Sequence, residues 1–427
     1  MARMLDVHSY RLKPIAVTMM LALLFGLILT TSVQASGDLS LNNGRVVNSA
    51  VAVDSSGDIV VSGNTAGFGR GQAMAFVMKY ASSGKLKCLK TFGPETTVVD
   101  TFGYGIAFDT SNNIYWTGGT QSFDGQRFHV FLIKLDSSCN LLYQQAWGGV
   151  GNDVGRGVAI DSVDNVYVTG STESYGAGQS DVFLLKYDAA GEFQYSQTWG
   201  GPGNDYGNAV AVDGSGNVYV TGVTAGNSTT AQEIFLLKYN PLGNLLFSRV
   251  WGGSLNSYAS DITVDSAGNV YVSGYTYIGG VTQGVASALL LKFDSAGNLL
   301  FKKTWGGTLN DYGTGVTSDG AGNVYVTGYT YSSSLAPGVP SVFILKYDTS
   351  GNLLFQNTWG GRRGEYAYGI VADPMGAIFV TGYTYSFGPN VKSNLQENQG
   401  TNFFLLKYDA TGNLILQMTY GGGTPDP

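Results

Sequence analysis

Hydrophobic residues occur along most of the chain in short runs, and clusters of Gly, Asn, Asp and Ser separate one run from the next. The stretch 207–253 contains four such runs, of which the second reads Val218-Tyr219-Val220. The runs are shorter than a typical helix and rich in β-branched and aromatic residues. This pattern predicts four short strands joined by tight turns.

The four-strand unit is repeated seven times, and three markers show the repeat independently. An Asp ends the first strand, a Gly closes the second, and a Lys lies in the third. The Gly markers recur at intervals of 52 to 55 residues. The markers are Asp54, Asp109, Asp161, Asp213, Asp265, Asp319 and Asp373, then Gly63, Gly118, Gly170, Gly222, Gly274, Gly328 and Gly382, then Lys79, Lys134, Lys186, Lys238, Lys292, Lys346 and Lys407.

Seven units of this kind predict an all-β fold, a seven-bladed β-propeller with four antiparallel strands per blade. Each blade of a propeller packs both faces against its neighbours, which explains why the strands are nearly continuously apolar. The predicted blades span about 46–93, 94–149, 150–201, 202–253, 254–307, 308–361 and 362–421. We expect whole blades to meet where the ring closes, with no strand exchanged between them.

The units resemble the bacterial seven-bladed propeller repeats called SBBP repeats. The resemblance rests on two motifs, a strand such as 216–222, Gly-Asn-Val-Tyr-Val-Thr-Gly, and the segment Thr-Trp-Gly-Gly at 198–201. It extends over nearly all of the chain after residue 35. It implies a propeller fold and export from the cell, but no particular activity, because the family is defined by its repeat.

The first 35 residues have the character of an export signal. Basic residues precede an apolar run at 15–29, and a small-residue cleavage site follows at 33–35. We expect residues 1–35 to be a signal peptide and the protein to be secreted to the periplasm, the cell surface or the medium. An uncleaved membrane anchor is the alternative, although the apolar run is shorter than a usual membrane-spanning helix.

Charge and metal-binding residues exclude several classes of function. The signal carries three of the 23 basic residues and one of the 30 acidic residues, so its removal leaves 20 against 29, a formal charge of −9. Nucleic acid is therefore excluded as an expected partner. His129 is the single histidine after residue 35, and we expect it to be a polar loop residue without a metal. No cofactor is expected.

The chain has two cysteines, Cys88 and Cys139. When the units are aligned on the Lys marker, Cys139 replaces a turn glycine, which is Gly191 in the next unit. A disulfide would offset the lost conformational freedom, but outer strands of neighbouring blades splay apart and disulfides need close Cα atoms. We therefore expect two free thiols, with the disulfide as the alternative.

The two faces of the propeller are predicted to differ. One face carries short turns of uniform chemistry, and the other carries loops between second and third strands whose length varies from 12 to 21 residues. Variable loops usually carry binding functions, so we expect a ligand on this long-loop face, mainly on blades five to seven. Its candidate contacts are Tyr275, Tyr277, Tyr329, Tyr331, Tyr383 and Tyr385.

Acidic residues occur on the same face, six positions after the Trp of each inter-blade loop. They are Asp153, Asp205, Asp311 and Glu365, and Ser257 interrupts the series. Such a partial acidic ring near the axis suits a cation or a polar ligand, so Asp205, Asp311 and Glu365 are further candidates. Alternatively, each carboxylate accepts backbone N–H groups within its own loop, and for that reason we expect no strong metal site there.

Two other repeated residues are interpreted as structural. Seven lysines at one position of the unit cannot share one active site, so we expect each ammonium to pair with a carboxylate, such as the Asp marker of its unit. The aromatic residues followed by Gly-Gly, such as Trp199, are expected to pack between blades.

These patterns together predict a non-enzymatic extracellular scaffold or binding module, monomeric, with an unidentified protein or glycan ligand on the long-loop face. The alternative is a carboxylate-based enzyme, a lyase or glycosidase that uses Asp205, Asp311 or Glu365 on that face.

Overall fold

A computed structural model describes residues 46–65, 73–93, 100–121, 127–225, 231–253, 255–279, 284–333, 335, 337–373, 376–387 and 401–420. Within these ranges the regular structure consists of 28 β-strands. The predicted signal peptide, and residues 388–400 of the longest predicted loop, lie outside the described residues. No helix in the described ranges has the length and hydrophobicity needed to cross a membrane.

The strands are numbered in chain order. They are β1 Val46–Val53, β2 Ile59–Thr65, β3 Met74–Tyr80, β4 Leu86–Phe92, β5 Thr101–Phe108, β6 Ile114–Gln121, β7 Phe128–Leu135, β8 Leu141–Trp147, β9 Asp153–Ile160, β10 Val166–Thr172, β11 Asp181–Tyr187, β12 Phe193–Trp199, β13 Asp205–Val212, β14 Val218–Thr224, β15 Glu233–Tyr239, β16 Leu245–Trp251, β17 Ser257–Val264, β18 Val270–Ile278, β19 Val285–Phe293, β20 Leu299–Trp305, β21 Asp311–Ser318, β22 Val324–Thr330, β23 Ser341–Tyr347, β24 Leu353–Trp359, β25 Glu365–Ala372, β26 Ile378–Thr384, β27 Asn402–Tyr408 and β28 Leu414–Tyr420.

These strands form seven sheets, and each sheet contains four consecutive antiparallel strands. The first strand of each sheet contacts the first strands of the two neighbouring sheets, so the first strands surround the axis and the fourth strands are outermost. The ring closes where β1 contacts β25. The predicted seven-bladed propeller is therefore confirmed. The described sheets share no strand, while the segment 39–42, which could have paired with the last blade, lies outside the described residues.

The strand sequences follow from this packing. Every residue of the second strand β10 is buried, because both faces of a blade meet another blade, whereas β12 at the rim alternates between exposed and partly buried positions. The aromatic residue before Gly-Gly packs across the interface to the next blade, as shown by Trp199 and Phe235, whose ring centroids lie 4.7 Å apart. The predicted inter-blade role of these aromatic residues is confirmed.

The Asp markers stabilise the short turns on the face opposite the long loops. Asp213 accepts backbone N–H bonds from Ser215 and Asn217 at 2.9 Å, and a side-chain bond from Asn217 at 2.8 Å. The Tyr219 hydroxyl donates to the same carboxylate. Burial opposes ionisation, but the bonds from Asn217 and Ser215 outweigh it and lower the pKa of Asp213. The turns are therefore held by a repeated carboxylate, in agreement with their uniform sequence.

The Lys markers connect each blade to the next. Lys238 donates to the carbonyl oxygen of Ser295 in the following blade at 2.8 Å, and Lys292 donates to that of Thr349 at 2.8 Å. The predicted pairing with the Asp marker of the same unit occurs within 4.0 Å at Lys79, Lys134 and Lys238. The expectation that every Lys marker pairs with a carboxylate is therefore wrong. Carbonyl oxygens in the turn of the next blade accept hydrogen bonds from the ammonium groups instead.

Cys88 and Cys139 form a disulfide, with Cα atoms 6.5 Å apart. The expectation of two free thiols is wrong. That expectation assumed that both cysteines lie on outer strands, which splay apart. Cys139 instead lies in a turn that packs against the outer strand of the preceding blade. Cys139 keeps the positive φ, 66°, that the turn glycine has in other blades. The bond therefore joins blade one to the turn of blade two.

Candidate functional site

The innermost strand of each blade contains a β-bulge. In blade four, Gly207 pairs with Gly222 and Ala209 pairs with Thr221, so Asn208 has no partner in the second strand. The pairing shifts at the same position in the other six blades. A bulge re-aims a side chain, and here the extra residues lie on the strand that surrounds the axis. In blades two to seven they are Tyr104 with Gly105, Arg156, Asn208, Ser260, Thr314 and Tyr368.

The bulge explains the Gly that marks every second strand. A Cβ atom built on Gly222 would lie 1.9 Å from the carbonyl oxygen of Tyr206, far closer than any side chain can approach. The same carbonyl contact occurs at Gly118, Gly170, Gly274, Gly328 and Gly382. Only Gly permits the backbone of the bulged strand to come this close.

The bulged residues line a central channel of about 830 Å³. Its wall contains one side chain from the bulge of each blade from two to seven: Tyr104, Arg156, Asn208, Ser260, Thr314 and Tyr368. These six side chains comprise one cation, an amide, two aliphatic hydroxyls and two phenols. Apolar residues such as Val158, Val210 and Val316 complete it. Equivalent positions of the repeat therefore carry unlike chemistry where they face the channel.

Arg156 is the cation of this wall and its side chain is exposed. One guanidinium nitrogen lies 3.4 Å from the amide oxygen of Asn208, and the guanidinium lies 5.8 Å from the ring centre of Tyr206. No ion pair of Arg156 occurs among the described residues. Its charge therefore remains available to a ligand in the channel.

Tyrosines form a continuous belt across blades five, six and seven. The belt consists of Tyr258, Tyr275, Tyr312, Tyr329, Tyr366 and Tyr383, and successive ring centroids lie 4.8 to 5.0 Å apart. Cross-strand pairing creates it, because Tyr258, Tyr312 and Tyr366 are the second residues of their first strands and lie opposite the tyrosines that follow the Gly markers. First strands begin at the long-loop face, so the belt lies at that mouth of the channel, on the side formed by blades five to seven.

The tyrosines of the belt are neutral at physiological pH. Burial raises the pKa of Tyr329 to about 12, and neighbouring phenols add to the effect. Burial likewise raises the pKa values of Tyr275 and Tyr312 well above the usual range, and Tyr277 of the preceding blade is hydrogen-bonded to Tyr312. The belt therefore offers aromatic surface and hydroxyl groups without charge.

Of the six sequence-predicted tyrosines, three belong to this belt and three pack beside it. Tyr275 and Tyr329 line the channel. Tyr277 and Tyr331 are partly buried and lie beside Tyr275 and Tyr329, with centroids 6.1 and 6.3 Å away. Tyr383 is buried within the belt, with Tyr385 packed edge-on against it at 5.6 Å.

Sequence reasoning missed the bulged residues and Tyr258. The signal for the bulged residues was present, because one position in the first strand varies among otherwise similar units.

The inter-blade acids lie inside the blade interfaces, not in the channel wall. Asp153, Asp205, Asp311 and Glu365 are 0% exposed. Asp311 accepts the Gly307 N–H at 2.7 Å, and Glu365 accepts the Gly361 N–H at 2.8 Å. This geometry matches the loop-fastening alternative, and the expected acidic ring around the axis does not form. Binding of a ligand by these carboxylates stays a prediction.

His129 is also placed differently from the prediction. It lies within β7 and is 8% exposed, not on a polar loop. A Cβ atom built on Gly148 would lie 2.6 Å from both the His129 Nδ1 and an Asp153 carboxylate oxygen, so the two side chains adjoin in the interface. The described residues contain no cluster of three or more His, Cys, Asp or Glu side chains suited to a metal.

A carboxylate does reach the channel in blade five. Asp261 occupies the position that follows the bulge, where blades four and six have Ala209 and Gly315, and it lines the channel wall. Its oxygens accept the N–H groups of Ile262 at 2.8 Å and of Val316 in the next blade at 2.9 Å. Burial nevertheless raises the pKa of Asp261 to about 6.

The family model described as the SBBP β-propeller repeat matches four segments of the sequence, residues 146–176, 194–228, 247–282 and 305–336. The chain carries SBBP repeats. Each matched segment joins the end of one blade to the first two strands of the next, so the SBBP motif includes both the inter-blade loop and the bulge.

A curated relative of the SBBP chain is an uncharacterized WD repeat-containing protein of Acanthamoeba polyphaga mimivirus. The two are 23% identical over 89% of this chain, which spans about a third (33%) of that relative's length.

Two solved structures show the same fold. The β-propeller domain of the Trilobed protease from Pyrococcus furiosus, described as having an open velcro topology, is 9% identical over 84% of this chain and 93% of that chain, with a TM-score of 0.50. A puromycin hydrolase S511A mutant complexed with PGG is 12% identical over 89% of this chain and 54% of its own, with a TM-score of 0.51. At these identities the likeness concerns the fold alone.

Proposed function

We propose that this SBBP propeller is a non-enzymatic binding module that holds a carbohydrate chain in the long-loop mouth of its central channel. The observation that carries the proposal is the set of bulges, which direct unlike polar side chains from successive blades into one channel of about 830 Å³. A packing device would need only small or apolar residues there, such as Ala209 and Gly315 at the position that follows the bulge. Specific recognition of an asymmetric ligand instead requires chemically different side chains at equivalent positions of the blades.

The chemistry of the mouth favours a sugar. Neutral tyrosine rings provide flat surface for the C–H faces of a pyranose, and their hydroxyls provide hydrogen bonds. Asn208, Ser260 and Thr314 add neutral polar groups, and Arg156 suits a carboxylate or sulfate substituent. A peptide is the second ligand class that such a surface accepts, and the experiment below distinguishes the two.

The test is a binding screen of the mature protein against neutral and acidic glycans and against extended peptides, followed by calorimetry. We expect a glycan to bind, and expect Tyr312→Ala and Arg156→Gln each to weaken binding by about tenfold or more. Tyr175→Ala is the matched control, because Tyr175 lies on the same face but packs on Trp147, outside the belt. Binding of peptides alone, or equal affinity in all three variants, would disprove the carbohydrate assignment.

The enzymatic alternative is checked in the same experiment. Asp205, Asp311 and Glu365 would have to act as acid or base, yet each is buried and accepts a backbone N–H from its own loop. New reducing ends or unsaturated products from a bound glycan, lost in Asp311→Asn, would establish catalysis in place of simple binding.

We further propose that the protein works outside the cytoplasm as a monomer. The disulfide between Cys88 and Cys139 supports an oxidising compartment. Cell fractionation of the full chain and light scattering of the purified protein test the two statements separately.

A further inference from the structure

Three blade interfaces bring together two side chains, one at or near the start of a third strand and one at the start of the next blade's first strand. Both side chains lie next to the glycine that directly follows the Trp at the end of the fourth strand. A Cβ atom built on Gly360 would lie 2.9 Å from the Ser341 hydroxyl oxygen and 2.7 Å from a Glu365 carboxylate oxygen. At Gly148 the equivalent pair is His129 and Asp153. These two interfaces thus combine an acid with a neutral or basic partner.

The interface between blades three and four is different, because both members of the pair are carboxylates. A Cβ atom built on Gly200 would lie 2.0 Å from Asp181 Oδ1 and 2.6 Å from Asp205 Oδ2. Asp181 is 2% exposed and Asp205 is 0% exposed. None of the ion pairs found among the described residues includes either side chain. Two adjacent carboxyl groups are therefore buried without a side-chain cation.

Hydrogen bonds leave this pair incompletely satisfied. Asp205 Oδ2 accepts the Gly201 N–H at 2.7 Å, and Asp181 Oδ2 accepts the Gly178 N–H at 3.0 Å. Asp205 Oδ1, however, is buried and has no hydrogen-bond partner. In blade three, the equivalent Oδ1 of Asp153 accepts the hydroxyl of Thr172. Two adjacent buried carboxyl groups, one of them with an unpaired oxygen, are unfavourable in the ionised form unless a cation compensates them.

We propose that Asp181 and Asp205 bind a hard divalent cation, calcium, between blades three and four. The two carboxylates begin β11 and β13, directly after glycine-rich loops that lie against each other. A Cβ atom on Gly178 would lie 2.1 Å from the Gly201 carbonyl oxygen and 2.8 Å from that of Gly203. Oxygen donors of this kind suit calcium, whose flexible coordination accepts backbone carbonyls and water beside carboxylates. This proposal revises, for one interface, the expectation that the inter-blade acids hold no metal.

The number of carboxylates limits the affinity of the site for calcium. Two carboxylates are fewer than a high-affinity calcium loop supplies, so we expect a dissociation constant of about 0.1–1 mM, in the range of extracellular modules. Calcium would join two blades and neutralise the buried charges. It would stabilise the folded ring without contacting the channel, and the site is therefore independent of the proposed ligand.

The experiment is thermal unfolding and calorimetry of the mature, metal-stripped protein with calcium chloride, with magnesium chloride as the comparison. At about 10 mM calcium we expect the unfolding temperature to rise on the order of 2–5 °C, and magnesium to have a smaller effect. Asp181→Asn and Asp181→His are expected to lose the calcium response. The histidine variant recreates the pair formed by His129 and Asp153 one blade earlier, so it should fold.

Asp311→Asn is the matched control, because it removes the equivalent acid at another interface, and it should retain the full calcium response. Two results would overturn the proposal. One is a wild-type protein that shows neither a heat of calcium binding nor a calcium-dependent rise in unfolding temperature. The other is an undiminished response in the folded Asp181→His variant.

Discussion

Cys88 and Cys139 occupy the positions that an aromatic ring and a turn glycine occupy at other blade interfaces. Cys88 is paired with Lys79 across β3 and β4, as Tyr195 is paired with Lys186 in blade three. A Cβ atom built on Gly243 in the following turn would lie 2.9 Å from the Tyr195 ring. The disulfide is therefore a covalent version of a contact that other interfaces make by packing.

Reduction of this disulfide should destabilise the protein without unfolding it. The bond encloses a loop with a sequence separation of 51 residues, so its loss should cost about 4 kcal/mol in the chain-entropy model. Urea unfolding with and without reductant measures this cost. The double variant Cys88→Phe with Cys139→Gly restores the packing contact, and its stability should not depend on reductant. Equal stability of the oxidised and reduced wild-type protein would contradict the assignment.

The Gly marker, which lies inside the second strand, should tolerate no side chain in blades two to seven. Gly222→Ala would place a methyl group 1.9 Å from the Tyr206 carbonyl oxygen, so the bulge would have to be rebuilt at a cost on the order of 3 kcal/mol. Gly214→Ala is the control, because a Cβ atom there meets nothing within 4 Å. Chemical denaturation of the two variants provides the comparison, and similar stabilities would show that the bulge is not fixed by this contact.

Lys79 should be essential for stability. Its ammonium lies 3.0 Å from Asp54 and 3.5 Å from Asp58, and it is 2% exposed. Lys79→Met leaves the buried carboxylate of Asp54 without its cation, while Asp58 keeps its ion pair with Lys87, so we expect a loss of about 3–5 kcal/mol. Lys85→Met, at an exposed position of the same blade, should change the unfolding free energy little. A Lys79→Met protein as stable as that control would show that the buried pair contributes nothing.

Asp261 should make stability depend on pH. Its folded-state pKa is about 6, above the 3.8 of an ordinary Asp. The folded state therefore binds the proton of Asp261 more tightly than the unfolded state does. The resulting contribution to the free energy of unfolding is fully present below about pH 4 and is lost as the pH rises through 6. The difference amounts to about 2–3 kcal/mol. In Asp261→Ala, which copies Ala209 of blade four, this part of the pH dependence should disappear from urea-unfolding curves recorded between pH 4 and 8. Parallel curves for the two proteins would contradict it.

The repeat was sufficient to predict the ring. The Asp, Gly and Lys markers each correspond to one structural task, namely fastening a turn, admitting the bulge and bridging to the next blade. A residue that performs the same task in every blade is visible in one sequence, because the unit itself supplies the comparison.

The site was less predictable because it depends on departures from the repeat. A bulge adds one residue to a strand, and it leaves the hydrophobic pattern nearly unchanged, so Asn208 reads as an ordinary strand residue. The disulfide was missed for a related reason. Cys139 corresponds to Gly191 of the next unit, and Cys88 corresponds to Tyr143, which contacts that glycine in the next turn. The disulfide becomes predictable only when both departures from the repeat are placed at the same contact between blades.

Each described sheet is built from four consecutive strands, and the contact between β1 and β25 therefore has the same character as every other interface. The ring therefore does not depend on which blade comes first in the chain. A circular permutant that starts at residue 202 and joins the present ends through a flexible linker would keep every strand ladder intact. Chain ends could be placed at any inter-blade loop, and a cargo domain could be attached there without interrupting a sheet.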